Sequence, residues 1–174
     1  MSGPILIWGA GAIGGTLAAA FARAGQHVAL VDSAEDHVAA VRAAGLRIAG
    51  PIFEDVVALP AVTPGALEGR FSRIFLCVKA HHTADAARAL APHLAEDGYV
   101  VSAQNGLNER VIAETVGAAR TIGCFVNFGA DYLEPGLVHY SGRGAVVVGE
   151  VDGARTERID ALFELMRKFE PNAV

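Results

Sequence analysis

The chain has 174 residues, enough for one domain with a sizeable core, and its 52% hydrophobic and 19% charged residues exclude a disordered class. A net charge of −5 with no basic run gives no electrostatic footprint for nucleic acid. The two cysteines, Cys77 and Cys124, lie in apolar stretches without a CxxC pair, which reads as buried, reduced thiols of a cytoplasmic protein rather than a disulfide or a metal site.

Residues 3–22 carry no charge, a length that approaches a membrane span. Five glycines interrupt the stretch and no basic n-region precedes it, so it reads as a buried strand, a turn and a buried helix. "PILIW" is the strand, suited to the middle of a parallel sheet. After "GAGAIGG", Ile13, Leu17, Ala20, Phe21 and Ala24 recur at helical spacing up to Gly25. "HVALV" is a second strand, and Ser33 is the expected N-cap of a helix that runs to about Ala44, before Gly45. "LRIAG" and "DVVALP" are shorter strands, and "RIFLCV" is a strongly apolar strand that leads to Lys79 and a helix from Thr83, broken near Pro92. "YVVSAQ" is a strand, "NGLN" a turn, residues 108–116 a helix closed by Gly117, and "RTIGCFVNF" another strand. "GLVHY-SGRG-AVVVGE" reads as two runs around a Gly-rich turn, an antiparallel hairpin. A final helix carries Ile159, Leu162, Phe163 and Met166 on one face.

Strands alternating with helices predict an α/β fold: a doubly wound, Rossmann-type, mostly parallel sheet with an antiparallel hairpin near the C-terminal end. With no linker, repeat or low-complexity tract, residues 1–174 read as one dinucleotide-binding domain.

Gly9, Ala10, Gly11, Ala12, Ile13 and Gly14 form G-x-G-x-x-G between a strand and a helix. Gly9 permits the turn, Gly11 lets the backbone approach a pyrophosphate, Gly14 lets helix and sheet pack closely, and N–H groups at the helix start face the anion. Asp32 follows Gly14 by 18 residues at the end of the second strand, where the fold places the adenosine ribose. A carboxylate there accepts from the 2′ and 3′ hydroxyls. It repels a 2′-phosphate by about 3 kcal/mol at about 5 Å and an effective dielectric of roughly 40. Asp32 is therefore expected to favour NAD(H) over NADP(H) by about 100-fold; the plainer alternative is that it only helps cap the following helix. His37 and Arg42 are the nearest groups able to offset its charge, the first mostly neutral and the second two helical turns away.

Lys79, after a strand end, can attract a substrate carboxylate or polarise a carbonyl; otherwise it is a solvated lysine. Asn105 opens an Asn-Gly turn, and Gln104 can brace that loop. Adjacent His81 and His82 have no further ligands at metal-binding spacing, so no metal site is expected. Asn127 and His139, polar residues in apolar strands, are expected to be hydrogen-bonded structural residues.

With the glycine loop, "CVKAHHTADAARAL", "SAQNGLNE" and "FGADYLEPGLVHYSGRGAVVVGE" resemble the ketopantoate reductase (2-dehydropantoate 2-reductase) family over essentially the whole chain. The resemblance implies hydride transfer from NAD(P)H, usually NADPH, to a branched 2-oxo acid. It implies contact of Lys79, in V-K-A, with the nicotinamide end and the keto acid, and a substrate-holding role for Asn105, in Q-N-G. It also implies a helical domain after "FEPNAV" that carries the general-acid lysine, so these 174 residues are expected to bind cofactor but turn over poorly alone. The sequence departs from the family where a basic residue usually stands near Asp32 or Ser33. Two alternatives stay open: another 2-oxo-acid dehydrogenase of the same superfamily, and a non-catalytic NAD-binding regulatory module. The lack of Y-x-x-x-K argues against a short-chain dehydrogenase. The expected partner is a small 2-oxo acid, with no nucleic acid or membrane, and an uncovered apolar face would favour a homo-oligomer.

Overall fold

The computed structural model describes residues 3–174. The uncharged opening folds as β1 (Ile5–Trp8), buried at every position, and α1 (Ala12–Arg23), whose Leu17 and Phe21 are fully buried. β2 (Val28–Val31) returns parallel to β1, and α2 (Glu35–Ala44) ends at Gly45, which adopts φ 83°. β3 (Leu46–Ala49) and β4 (Asp55–Val57) form an antiparallel pair, and the two-residue β5 (Ala61–Val62) adds to β2. β6 (Phe71–Leu76), α3 (Thr83–Leu90), β7 (Leu94–Ala103) and α4 (Glu109–Val116) complete the second winding. β8 (Thr121–Glu134), β9 (Leu137–Glu150) and α5 (Glu157–Phe169) close the chain.

The nine strands lie in the order β4-β3-β9-β8-β7-β6-β1-β2-β5. From β5 to β8 every pairing is parallel, and those six strands follow the 3-2-1-4-5-6 order of a dinucleotide-binding sheet. The order reverses between β1 and β6, so a crevice opens there beyond the carboxyl ends of the strands. α1, α2 and α5 cover one face, where Phe21 and Phe75 meet with ring centroids 5.1 Å apart. α3 and α4 cover the other, against Leu6, Trp8, Ile74 and Leu76. Each fully buried large apolar side chain contributes about 1.5–3 kcal/mol.

Three local expectations need correction. The hairpin is real, but its turn lies at Pro135 and Gly136, and "SGRG" sits inside the continuous β9. That run is absorbed as a register irregularity opposite Gly129: a side chain at Gly144 would meet the Asn127 carbonyl at 1.6 Å, so its glycine serves strand contact rather than a turn. Ser33 is not the N-cap of α2; Ala34 holds that position, and its N–H donates to Asp32 Oδ1 at 2.9 Å. Asn127 is exposed on β8, and neither it nor His139 makes a side-chain hydrogen bond among the described residues. Alternation explains Asn127: Val126 and Phe128 point into the core, so residue 127 points out.

Candidate functional site

A cleft of about 600 Å³ occupies the reversal point. Its walls bring together Gly9, Gly11, Ala12 and Ile13 from the glycine turn, Asp32 from the end of β2, Lys79 after β6, and Asn105 after β7. Gly14, behind the turn, is buried against β1, and Ala10 forms part of the core. Nine sequence-predicted residues thus converge from four segments of chain, seven of them on the cleft wall.

The glycine turn has the properties an anion cradle needs. α1 starts from Gly11 with no side-chain cap and no acidic residue in its first turn, so its leading N–H groups lack intrahelical partners and face the cleft. A Cβ at Gly14 would lie 1.8 Å from the Gly9 carbonyl oxygen, so close packing alone requires glycine there. At Gly11 a Cβ would meet nothing within 4 Å, and φ is −68°. Neither packing nor backbone conformation requires glycine at position 11; open space above the backbone is what a bound pyrophosphate would fill.

Asp32 does more than was expected of it. Its Oδ2 accepts from the Ala10 N–H at 2.7 Å while Oδ1 accepts from Ala34. It therefore does help start α2, as the plainer reading held, and it also fixes the glycine turn. A carboxylate offers about four acceptor positions, so both oxygens retain capacity toward a ribose. Asp131 and Tyr132 face it across the cleft. The Tyr132 phenol is shifted upward, by burial first and then by the Asp36 and Asp32 carboxylates. Lys79 is the one Lys or Arg among the described residues lining the cleft. A side pocket of about 250 Å³, sharing Gly9, Asp32, Val78 and His82 with the cleft, continues to Trp8 and Ala86.

At the other end, a directional network supports Lys79 and Asn105. Ser102 Oγ donates to Gln104 Oε1 at 3.3 Å, and Gln104 Nε2 donates to the Val78 carbonyl at 2.6 Å and to Thr83 Oγ1 at 2.9 Å. Thr83 Oγ1 donates to Asn108 Oδ1 at 3.3 Å, and Asn108 Nδ2 donates to the Asn105 carbonyl at 2.8 Å. All four side chains are buried, and a satisfied buried chain of this kind locks its backbone contacts in place. Gln104 thus braces the loop, as anticipated. Ser102, Thr83 and Asn108 were missed; their only signal is a small polar residue near the end of β7 and at the start of each of the two helices beside the cleft. Lys79 and Asn105 remain exposed, each beside a backbone carbonyl held by this network.

Cys77 is half-buried in the cleft floor and Cys124 buried behind it. Burial pushes both thiols up, Cys124 to about 12 with help from Glu109, so neither is a thiolate nucleophile at neutral pH. Among the described residues no three His, Cys, Asp or Glu side chains cluster as metal ligands, and no helix is long and apolar enough to cross a membrane.

Sheet order, glycine turn and strand-end acid define an α/β domain of the Rossmann type with its cleft at the switch point. The chain belongs to the ketopantoate reductase PanE/ApbA family, whose model matches residues 5–153. A 2-dehydropantoate 2-reductase of Halobacterium salinarum is 32% identical over 157 residues, covering 89% of this chain and 52% of the relative. One from Pyrococcus horikoshii is 34% identical over 167 residues, covering 94% and 53%. The crystal structure of a PanE/ApbA family ketopantoate reductase from Ralstonia eutropha superposes with a TM-score of 0.86 at 29% identity, over 98% of this chain and 55% of that one. The chain spans about half the length of the curated relatives it matches.

Proposed function

We propose that this chain holds the cofactor of a 2-dehydropantoate 2-reductase-like oxidoreductase, with residues 1–174 as its dinucleotide-binding domain. The observation that carries the reading is the meeting of Gly11, Asp32, Lys79 and Asn105 on one cleft at the switch point. In this reading the α1 N-terminus receives the pyrophosphate, Asp32 the adenosine ribose, the apolar side pocket beside Trp8 the adenine, and Lys79 and Asn105 the nicotinamide end. The bound nicotinamide supplies hydride for the carbonyl carbon of a 2-oxo acid. Lys79 attracts the carboxylate and polarises the carbonyl oxygen, and Asn105 orients the acid; positioning of this kind supplies much of the acceleration. The opposite wall and the proton donor are assigned to the part of the relatives that this chain does not match.

NADH is the proposed preference. Asp32, with Asp36 and Asp131 nearby, makes the ribose end acidic, and no Lys or Arg lines the cleft or the side pocket there among the described residues.

The reductase reading is separated from a purely regulatory module by titrating the NADH-bound protein with ketopantoate and other 2-oxo acids while following bound-NADH fluorescence. A saturable change is expected in the wild type and should be lost in Lys79→Ala at NADH concentrations that saturate the variant. NADH binding with no response to any 2-oxo acid would contradict the assignment.

A further inference from the structure

One buried titratable side chain stands beside the cleft without a role in the reading above. His37, on α2, is 1% exposed. Its Nε2 lies 2.9 Å from the Ala10 carbonyl oxygen, and the Gly136 N–H meets its Nδ1 at 2.9 Å. A backbone N–H can only donate, so Nδ1 is bare and the proton resides on Nε2, which donates to Ala10. The partners thus define the neutral Nε2–H tautomer.

These two bonds join three parts of the cleft. The Ala10 peptide is held at both ends, its N–H by Asp32 at 2.7 Å and its carbonyl by His37. Gly136 is the turn of the β8–β9 hairpin, and a Cβ on it would stand only 3.1 Å from Ala40 of α2. The same hairpin supplies Ala130, Asp131 and Tyr132 to the cleft wall, and the Tyr132 ring meets the imidazole edge-on at 5.2 Å. The ring therefore sets the distance between the phosphate-binding turn and the facing wall.

We propose that His37 is a positioning residue for the dinucleotide, clamping the glycine turn to the hairpin tip through its neutral Nε2–H tautomer. The proposal rests on the dinucleotide-binding reading. A proton on Nδ1 would place an N–H donor against the Gly136 N–H; the clamp to the hairpin would open while the bond to Ala10 remained. The ionisable groups facing the ring are Asp32 beside Ala10, Asp36, whose Oδ1 accepts the His37 backbone N–H at 2.8 Å, and the Tyr132 phenol.

The test is calorimetric titration with NADH of the wild type, His37→Gln and His37→Ala under one set of conditions. Glutamine carries an amide donor and a carbonyl acceptor and takes no proton. His37→Ala, which removes both hydrogen bonds, should bind about tenfold more weakly, and His37→Gln should stay within about threefold of the wild type. Thermal melts identify any variant that fails to fold; where His37→Ala does, His37→Phe, which keeps a ring but neither donor nor acceptor, takes its place. Equal affinities for wild type and a folded His37→Ala or His37→Phe, or a His37→Gln as weak as that variant, overturn the proposal. Failure of the wild type to bind NADH at all overturns the dinucleotide reading instead.

Discussion

Replacing Gly14 and Gly11 separately by alanine should divide architecture from ligand binding, although both belong to one motif. At Gly14 the new Cβ would stand 1.8 Å from the Gly9 carbonyl oxygen and 2.9 Å from Ile7 Cγ2. Ordinary contact needs more than 3 Å, so α1 must retreat from β1 by over about 1 Å along a fully buried seam. Overpacking of a rigid seam costs about 3 kcal/mol, which for a domain of this size lowers the melting temperature by about 10 °C. At Gly11 the Cβ meets nothing within 4 Å and φ is already −68°. A weaker N-cap costs about 0.5–1 kcal/mol, offset by about 0.4–1 kcal/mol from the stiffer unfolded chain, so melting should move by less than about 3 °C. The methyl would stand where the pyrophosphate approaches, and NADH affinity should fall by about 10- to 100-fold. Circular-dichroism melts and cofactor titration on both variants measure the two effects. Wild-type NADH affinity in Gly11→Ala would refute the placement of the pyrophosphate, and wild-type melting of Gly14→Ala would refute the packing argument.

Gln104→Leu should strand the Val78 carbonyl and Thr83, costing about 2 kcal/mol, and should blunt the 2-oxo-acid response while NADH still binds; an unchanged response and melt would count against the network. Glu150, on β9, is held below the usual carboxylate range chiefly by hydrogen bonds from Arg158 of α5, at 2.6 Å and 2.5 Å, against the opposing effect of burial. Because its folded pKa lies below its unfolded one, this contribution is complete above about 4.5 and is lost as pH falls through the folded value. Arg158→Met should destabilise by about 2–3 kcal/mol at neutral pH and flatten that acid limb in denaturant titrations; an unchanged limb would show that the pair contributes nothing.

Much of the fold was legible because each long element carried its own signal. The apolar strands from residues 5 and 28, the glycine stops at Gly45 and Gly117, and the face of α5 lie as the pattern indicated, while β6 and β7 begin two and five residues before the apolar runs at 73 and 99 that marked them. Two-residue β5 has too few residues for any period to show. The hairpin turn was misplaced because two glycine-bearing segments compete, and glycine near residue 142 marks strand irregularity as readily as a turn; the Pro135-Gly136 pair was the better turn former. In the candidate site, the glycine motif, Asp32, Lys79 and Asn105 were readable from motif and spacing. The buried residues that hold them were not. His37 bridges partners 27 and 99 positions away in sequence, and no local window contains that information. Asp32 shows the same limit in milder form: its spacing marked it as the ribose acid, while its bond to Ala10 N–H depends on how β1 and β2 pair.

Asp32 also carries the claim that most needs measuring, that this cleft takes a nicotinamide dinucleotide and prefers the unphosphorylated form. Side-by-side calorimetric titration of the wild type and Asp32→Ala with NADH and NADPH tests it. The wild type should bind NADH tighter by about 100-fold, in line with a repulsion of about 3 kcal/mol at the 2′-phosphate. In Asp32→Ala that ratio should collapse to within about tenfold, with NADH itself weakened as the ribose acceptor and the Ala10 contact are lost. Tighter binding of NADPH by the wild type would contradict the cofactor assignment, and no binding of either would contradict the account as a whole.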